Sequence, residues 1–423
     1  MIIMLLSTPK TLSTTVNFTI GFFFLSLLNI KNGYNIAPAL LAVLGLGYCI
    51  YGVIKKWQWS LSKEDKMLIY SYLFYFATFV ISFVVHQGKI RELDNPSRVL
   101  LFIPVLLLLL HIPPRLNMVL YAIPLGSMIA GITAVYDKLV LHSEMAFSVR
   151  IMHIQGGDIA MSLGMFSFAV GFYFFQKTQL KLTALCIFAA LCGVLGSILS
   201  TARGGWVGVP FILIFMLWTY RQYLSKRFFL GLFSILVIAG FGVSQLPNNR
   251  IAERIAAAEH DISAYLQKND GSTSVGARFD MWKSALLMAQ EKPLLGWGVQ
   301  GVSEKRKQQF EQGLISEYAS IFNHAHNQYF DDLSKRGIVG LLALIGVFLV
   351  PFCVFWRDLK SANAELKLAG LLGVVHILSV MFYGLSQGFF SHNSGNIFYF
   401  FLVIVFYAFT KQQRLLAKHA TVQ

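Results

Sequence analysis

Long apolar stretches separated by short polar segments run along most of the chain. A helix that crosses a bilayer needs roughly 20 apolar residues, and tilt or snorkelling can cover a shortfall. Twelve stretches satisfy or approach this length; they lie near residues 14–30, 35–54, 67–86, 98–111, 115–137, 159–176, 182–200, 205–220, 228–247, 337–356, 368–387 and 394–410. The pattern predicts an all-α integral membrane protein with about 12 transmembrane helices.

One polar region interrupts this pattern between the ninth and tenth predicted spans. From about Pro247 to Arg336 no segment is long and apolar enough to cross a membrane. Apolar residues three and four positions apart predict that this region is helical. The sequence therefore divides into spans 1–9 (residues 1–247), one large helical loop (248–336), and spans 10–12 with a tail (337–423).

Composition and charge agree with this architecture. Of the 423 residues, 56% are hydrophobic and 13% are charged, and the net charge is +15. The basic residues concentrate in alternate segments between the spans, which places those segments and both termini in the cytoplasm and the large loop outside. Topology thus explains the basic charge without a nucleic-acid partner. The spans carry almost no ionisable groups, which argues against an ion-coupled transporter.

A second polar segment, from Ser200 to Gly205, lies between the seventh and eighth spans and should face the same side as the large loop. Its arginine, Arg203, comes just before the expected start of the next span. A guanidinium beside unpaired helix N–H groups suits a phosphate at headgroup depth, because arginine donates in a bidentate fork. The alternative is an interfacial arginine that snorkels towards lipid phosphate. The residues alone leave both interpretations open.

The large loop carries Arg278 on a predicted helix, and a pair of histidines, His324 and His326, at the start of another helix that Asn323 can cap. Arg278 by itself fits a solvated or salt-bridged surface residue. Histidines two positions apart on a helix point to different sides, so they form a poor metal pair. A helix N-terminus would keep His326 neutral and able to act as a general base. The alternative is a histidine that caps or packs.

The segment Gly296 to Gly301 matches the G-x-G-x-x-G letters of dinucleotide-binding loops. It follows a helix ended by Pro293 rather than a strand, and no βαβ pattern surrounds it. We therefore interpret its glycines as turn residues. The sequence predicts neither a metal nor a cofactor.

Several segments in combination resemble the O-antigen ligase and polymerase superfamily. They are Thr-Ala-Arg-Gly at 201–204, Gly-Ala-Arg-Phe-Asp-Met-Trp at 276–282, Pro-Leu-Leu-Gly-Trp-Gly at 293–298 and His-Asn-Gln-Tyr-Phe-Asp-Asp-Leu-Ser-Lys-Arg-Gly at 326–337. The resemblance implies glycan transfer from an undecaprenyl-diphosphate carrier at the periplasmic face of the bacterial inner membrane. It also implies the all-helical fold of C-type membrane glycosyltransferases.

The resemblance further implies roles for individual residues. Arg203 and Arg278 match the family's arginines that are thought to hold the carrier diphosphate, and His326 matches its essential histidine before Asn. Arg150 is similar to an arginine ahead of the sixth span; we expect it and His324 to bind substrate. One departure concerns the end of the eleventh span, where some ligases carry an aspartate and this chain has Gly384-Leu385-Ser386-Gln387-Gly388.

Within the superfamily, a single outer loop and the length of 423 residues favour a ligase. The expected reaction is metal-independent transfer of O-antigen from undecaprenyl diphosphate to a sugar hydroxyl of lipid A–core, in contact with membrane lipids. An O-antigen polymerase and a protein O-oligosaccharyltransferase are alternatives from the same superfamily. A lipid-linked glycan flippase or transporter is the alternative from another class, and it would need polar residues along a path through the membrane.

Overall fold

A computed structural model describes residues 10–226, 250–268 and 270–420. Within these residues the protein consists of helices, turns and irregular segments, without a β-strand, so the predicted all-α class is confirmed. The α-helices are α1 (Lys10–Ser26), α2 (Gly33–Ile54), α3 (Lys63–Val85), α4 (Asp94–His111), α5 (Leu116–Leu139), α6 (His153–Gln176), α7 (Leu180–Leu199), α8 (Val209–Tyr220), α9 (Arg250–Lys268), α10 (Ser274–Glu291), α11 (Gly298–Glu311), α12 (Glu317–Ser320), α13 (Gln328–Trp356), α14 (Ala364–Tyr383) and α15 (Asn393–Ala420).

Nine helical segments among the described residues are long and apolar enough to cross a membrane. They match nine of the twelve predicted spans, and they are Gly33–Ile54, Lys63–Val85, Ile90–His111, Leu116–Leu139, His153–Gln176, Leu180–Leu199, Gln328–Lys360, Ala364–Tyr383 and Asn393–His419. The chain is therefore a multi-pass membrane protein. The predicted fourth span, residues 98–111, extends to the 22 residues Ile90–His111, because a 3₁₀ turn and the polar start of α4 precede its apolar part.

The other three predicted spans stay predictions. Helix α1, which falls on the first of them, has 17 residues. Helix α8, on the eighth, has 12, because a turn and a 3₁₀ helix occupy the first part of the predicted stretch. The ninth, residues 228–247, lies outside the described residues.

The chain divides into two compact units. The first, here called the membrane unit, comprises Met1–Ile81, Lys89–Met216 and Leu342–Gln423. The second, here called the loop unit, comprises Ser82–Gly88 and Leu217–Leu341. In the membrane unit α6 packs against α7 and α14, and α15 packs against α14 and α4. Helices α6 and α15 are the most enclosed of the candidate spans.

The loop unit has a small hydrophobic core of its own. Buried Ala277 and Met281 on α10 contact buried Ile315 and Ala319, and the rings of Trp282 and Phe322 pack against them. Helix α10 begins after Thr273, whose side chain caps it by accepting a hydrogen bond from the Gly276 N–H at 3.0 Å. This core joins α10 to the chain that leads into α13.

Helix α13 is interrupted at Gly337, where φ is +63° and ψ is −160°. Only glycine adopts this conformation readily. The N–H groups of the next two residues, Ile338 and Val339, donate to the carbonyls of Pro293 and Leu294 at 2.8 and 3.3 Å. The chain before α11 therefore supplies acceptors for groups that the helix itself leaves unpaired.

Candidate functional site

The segment between α12 and α13, residues 321–327, is here called the histidine segment. Helix α13 begins only at Gln328, and its cap is Asn327, whose Oδ1 accepts hydrogen bonds from the N–H groups of Tyr329 and Phe330 at 3.0 and 3.2 Å. The prediction of a helix capped by Asn323 and running from His324 is wrong. The reason is that His326 has φ +44°, a left-handed backbone that a continuous helix excludes.

This turn brings the two histidines together. The ring centroids of His324 and His326 are 4.1 Å apart and the rings are nearly perpendicular. The ring of Phe322 packs against both, at 5.8 and 5.3 Å. The expectation that the two histidines point to different sides is therefore also wrong, since it assumed helical geometry.

The environment of His326 lowers the pKa of its imidazole to about 4. Burial is the largest cause; the nearby His324, Arg278 and Arg306 add to it, and Asp331 opposes it. At neutral pH the ring is therefore neutral and can accept a proton. The prediction of a neutral His326 agrees with this direction, but the physical cause is burial among positive groups rather than a helix dipole.

Arg278 lies in the first turns of α10 and its side chain is exposed. Its charge is close enough to lower the pKa of His326. In the part of the chain that the structure describes, Arg278 forms no ion pair with a carboxylate. The loop unit thus combines a neutral, half-buried histidine with an exposed arginine whose fork can bind an anion.

Arg203 belongs to the membrane unit and is likewise exposed. It precedes a 3₁₀ helix, Gly204–Trp206, and α8 begins only at Val209. The predicted span starting at Gly205 is therefore shorter, and Arg203 does not sit directly before an α-helix. The turn is held by hydroxyl groups: Ser200 Oγ accepts from the Ala202 N–H at 3.2 Å, and Ser197 Oγ accepts from the Trp206 indole at 3.2 Å.

Arg150, also in the membrane unit, is paired within the protein. Its Nη1 contacts both carboxylate oxygens of Asp137, at 2.5 and 2.7 Å, and its Nε donates to the Asn29 carbonyl at 3.0 Å. Asp137 is fully buried. The predicted contact of Arg150 with substrate stays a prediction, but most of the N–H groups of Arg150 already fix the turn before α6.

At the end of the eleventh predicted span, where some ligases carry an aspartate, Gln387 contacts a buried carboxyl group. Gln387 Nε2 donates to the Oδ2 of Asp158 on α6 at 2.5 Å, and both side chains are buried. An added Cβ at Gly205 would lie 2.7 Å from Asp158 Oδ1, so this carboxyl group lies directly under the Arg203 turn. Sequence reasoning missed Asp158 because it is a single carboxylate just before the predicted sixth span, residues 159–176.

Three further residues of the loop unit were not predicted as part of the site. The Trp282 indole donates to the Ala325 carbonyl at 3.1 Å, the Asp331 Oδ1 accepts from the Ala325 N–H at 3.1 Å, and Arg306 donates to two other carbonyls of the histidine segment. The only signal for them was the sequence Asn-Gln-Tyr-Phe-Asp after His326, which places a carboxylate one turn beyond the cap. Arg306 sits in a charged run that looks like helix surface.

The fold and the site together define a class of protein. It is an all-helical, multi-pass membrane protein that carries a neutral histidine and an exposed arginine outside its spans. A family model described as O-antigen ligase matches residues 185–345, which include Arg203, Arg278 and both histidines. A protein of Haemophilus influenzae, described as uncharacterized, is 42% identical over 397 residues, 94% of this chain and 98% of the relative. The chain belongs to the O-antigen ligase superfamily.

Proposed function

We propose that this protein is an O-antigen ligase. It transfers O-antigen polysaccharide from undecaprenyl diphosphate to a sugar hydroxyl of lipid A–core, at the periplasmic face of the bacterial inner membrane and without a metal ion. Both termini lie in the cytoplasm. The observation that carries the proposal is His326: a half-buried imidazole kept neutral beside the exposed Arg278, within the region that matches the family.

The proposed reaction is a direct displacement. The acceptor hydroxyl oxygen forms a bond to the anomeric carbon of the donor sugar while the bond from that carbon to the diphosphate oxygen breaks. Neutral His326 takes the hydroxyl proton, and the electron pair of the broken bond leaves with undecaprenyl diphosphate. Arg278 and Arg203 hold the diphosphate and stabilise its increasing negative charge, as the family resemblance implies.

Arg278 and His326 can serve different steps because their environments differ. The exposed guanidinium can meet a charged ligand without first losing an internal partner. The imidazole is half-buried, and a diphosphate bound at Arg278 places negative charge near it. That charge raises the pKa of His326 from about 4 towards the pH at which the protein works, so donor binding makes it a stronger base.

Deletion of the protein in its own host tests the proposal. We expect O-antigen to accumulate on undecaprenyl diphosphate at its normal chain length, together with lipid A–core that lacks O-antigen. Accumulation of single repeat units would identify a polymerase instead. Loss of glycan from a periplasmic protein, with normal lipopolysaccharide, would identify a protein O-oligosaccharyltransferase, and donor trapped on the cytoplasmic side would identify a flippase.

The proposed topology has a separate test. Single cysteines beside Arg203, Arg278 and His326, in a variant without Cys49, Cys186, Cys192 and Cys353, are treated with a membrane-impermeant thiol reagent in cells with a permeabilised outer membrane. We expect all three positions to react. Protection of one while the others react would contradict a single periplasmic site.

A further inference from the structure

One fully buried arginine in the loop unit has no part in the reaction described above. Arg306, on α11, has 0% relative exposure, although Lys307 beside it is exposed. Burying a guanidinium costs considerable free energy unless other groups stabilise it. The contacts of Arg306 therefore indicate which part of the structure the buried guanidinium stabilises.

Those contacts go to the backbone of the histidine segment. Arg306 Nη1 donates to the Phe322 carbonyl oxygen at 2.7 Å and to the His324 carbonyl oxygen at 2.9 Å. Between these two carbonyls and His326, the N–H of Ala325 donates to Asp331 Oδ1 at 3.1 Å. The backbone that carries both histidines is thus held between a buried cation and a buried anion.

Among the described residues, the side-chain hydrogen bonds of Arg306 go only to the histidine segment. In the part of the chain that the structure describes, its Nε and Nη2 have no hydrogen-bond partner. Asp331 acts on Arg306 through its charge, while its Oδ1 accepts from the Ala325 N–H and its Oδ2 is bound by the Lys335 ammonium at 2.7 Å. A purely structural ion pair would use the guanidinium fork on a carboxylate; here the donated bonds are to the histidine segment.

We propose that Arg306 is a positioning residue that fixes the backbone of the histidine segment and thereby the orientation of the His326 imidazole. This inference rests on the proposed role of His326 as the base. The left-handed backbone of His326 is unfavourable for a residue with a side chain, so it persists only where surrounding contacts impose it. Arg306 and Asp331 provide such contacts on the two sides of the His324–Ala325 peptide group, because Arg306 binds its carbonyl oxygen and Asp331 binds its N–H.

Arg306 also affects the charge of the imidazole. The charged and titratable groups that act on His326 are Arg278 from α10, Arg306 from α11, His324 in the same segment and Asp331 from α13. Removal of the Arg306 charge should make protonation of His326 easier. Loss of the hydrogen bonds and loss of the charge can therefore be distinguished by different substitutions.

Two variants of the full-length protein separate these effects. Arg306→Lys keeps a positive charge but cannot reproduce the planar geometry of the guanidinium, and Arg306→Gln removes the charge as well. The His326 ring signal is followed by NMR of protein labelled at histidine, and it is assigned by its loss in His326→Gln. Transfer is measured with lipid-linked O-antigen and lipid A–core extracted from cells that lack the protein.

We expect Arg306→Lys to change the chemical shift of the His326 ring and to reduce transfer roughly a hundredfold, since a small displacement of a catalytic group can have an effect of that size. Its His326 should still titrate at low pH. Arg306→Gln should lower transfer at least as much, and its His326 should titrate at a higher pH than in the wild type.

Arg336→Gln is the matched control. Arg336 is a buried arginine of the loop unit that pairs with Asp332 on the same helix, so its loss reports the cost of removing a buried guanidinium elsewhere. We expect it to lower the Tm and to leave the His326 signal unchanged.

An unchanged His326 shift and titration in both Arg306 variants would overturn the proposal, even if transfer fell, because the loss would then reflect folding alone. If Arg306→Gln does not fold, the shift in Arg306→Lys decides. A changed His326 signal with wild-type transfer supports the positioning role but contradicts the use of His326 as base. Failure of the inference and failure of the proposed function therefore give different results.

Discussion

The Arg203 turn and the histidine segment solve opposite problems in the two units of the protein. The Arg203 turn is held by neutral groups, the hydroxyls of Ser197 and Ser200, and leaves its guanidinium exposed. The histidine segment is held by buried charges, Arg306 and Asp331, and keeps His326 partly enclosed. One turn presents a permanent charge, while the other prevents a charge from forming.

This contrast follows from what each group is proposed to do. An arginine that binds a diphosphate must reach it without losing an internal partner, so a neutral support is sufficient. A histidine that acts as a base must be unprotonated when the reaction begins, and burial together with positive neighbours ensures this for His326. Arg150 provides a third case, because its charge is already satisfied inside the membrane unit by Asp137.

The strongest test of this contrast is removal of the base. We expect His326→Ala to reduce transfer by about 10²–10⁴ while binding of the carrier-linked donor is largely retained. His324→Ala should have a smaller effect, through the ring contact it makes with His326. Donor binding and transfer are measured separately for each purified variant. An inactive His324→Ala beside an active His326→Ala would reverse the assignment.

The exposed arginines should show a smaller and different loss. Arg203→Lys and Arg278→Lys keep the charge but lose the bidentate fork, so we expect roughly ten- to a hundredfold lower transfer from the loss of one charge-assisted contact. Turnover is measured at saturating acceptor, with the Tm as a control for folding. Full activity of Arg203→Lys would mean that Arg203 only anchors the end of the turn.

The pH dependence should sharpen the distinction. Because the pKa of His326 is lowered to about 4, its protonation should not reduce kcat/KM for the donor between pH 7 and 5, and the loss should come near pH 4. The bound diphosphate favours the imidazolium, so the acidic limb of kcat should lie at higher pH than that of kcat/KM. Coincident limbs near pH 6.5 would contradict an enclosed base with positive neighbours.

The lowered pKa of His326 also affects the free energy of unfolding. The unfolded chain, with an ordinary histidine pKa near 6.5, binds the proton before the folded protein does. His326 should therefore destabilise the fold as pH falls from about 6.5 to about 4, and His326→Gln should reduce this acid sensitivity in thermal unfolding measurements.

Arg150 should affect stability more than chemistry. Arg150→Gln leaves the buried Asp137 without its cationic partner, and breaking a buried pair of this kind costs roughly 3–5 kcal/mol. We expect a lower Tm and, for the fraction that folds, little change in donor affinity. The double variant Arg150→Gln/Asp137→Asn should recover part of the stability. A large loss of donor affinity at an unchanged Tm would instead favour the predicted contact with substrate.

Chelation should have the smallest effect of all. If arginines neutralise the diphosphate, purified protein with defined substrates should keep its activity in excess EDTA. The argument from sequence against a metal assumed that His324 and His326 point to different sides, but their rings are in contact. The EDTA experiment is therefore needed to test metal independence. Activity that is lost in EDTA and restored by a divalent cation would require a metal mechanism.

The sequence was sufficient wherever one property dominates locally. Apolar runs located the nine candidate spans, because hydrocarbon solvation acts on each helix independently. It was insufficient where two residues compete for one role: Asn323 and Asn327 can both cap a helix, and only the backbone turn at His326 decides between them. Arg306 could not be identified at all, since Glu304-Lys305-Arg306-Lys307 gives no indication that one of these side chains is buried.

The break at Gly337 divides α13 into two helical parts, and the rotation of each part about the helix axis is set separately. An α-helix turns its side chains by about 100° and advances 1.5 Å with every residue, so an insertion normally rotates everything beyond it. Here the hydrogen-bond ladder stops at Gly337, and residues 338 and 339 take their direction from the carbonyls of Pro293 and Leu294. Residues added or removed in the apolar part of α13, after Gly337, therefore do not rotate the side chains of its first turns about the helix axis. The length of the span can vary to match a bilayer while Asn327 and Asp331 keep their alignment with the histidine segment.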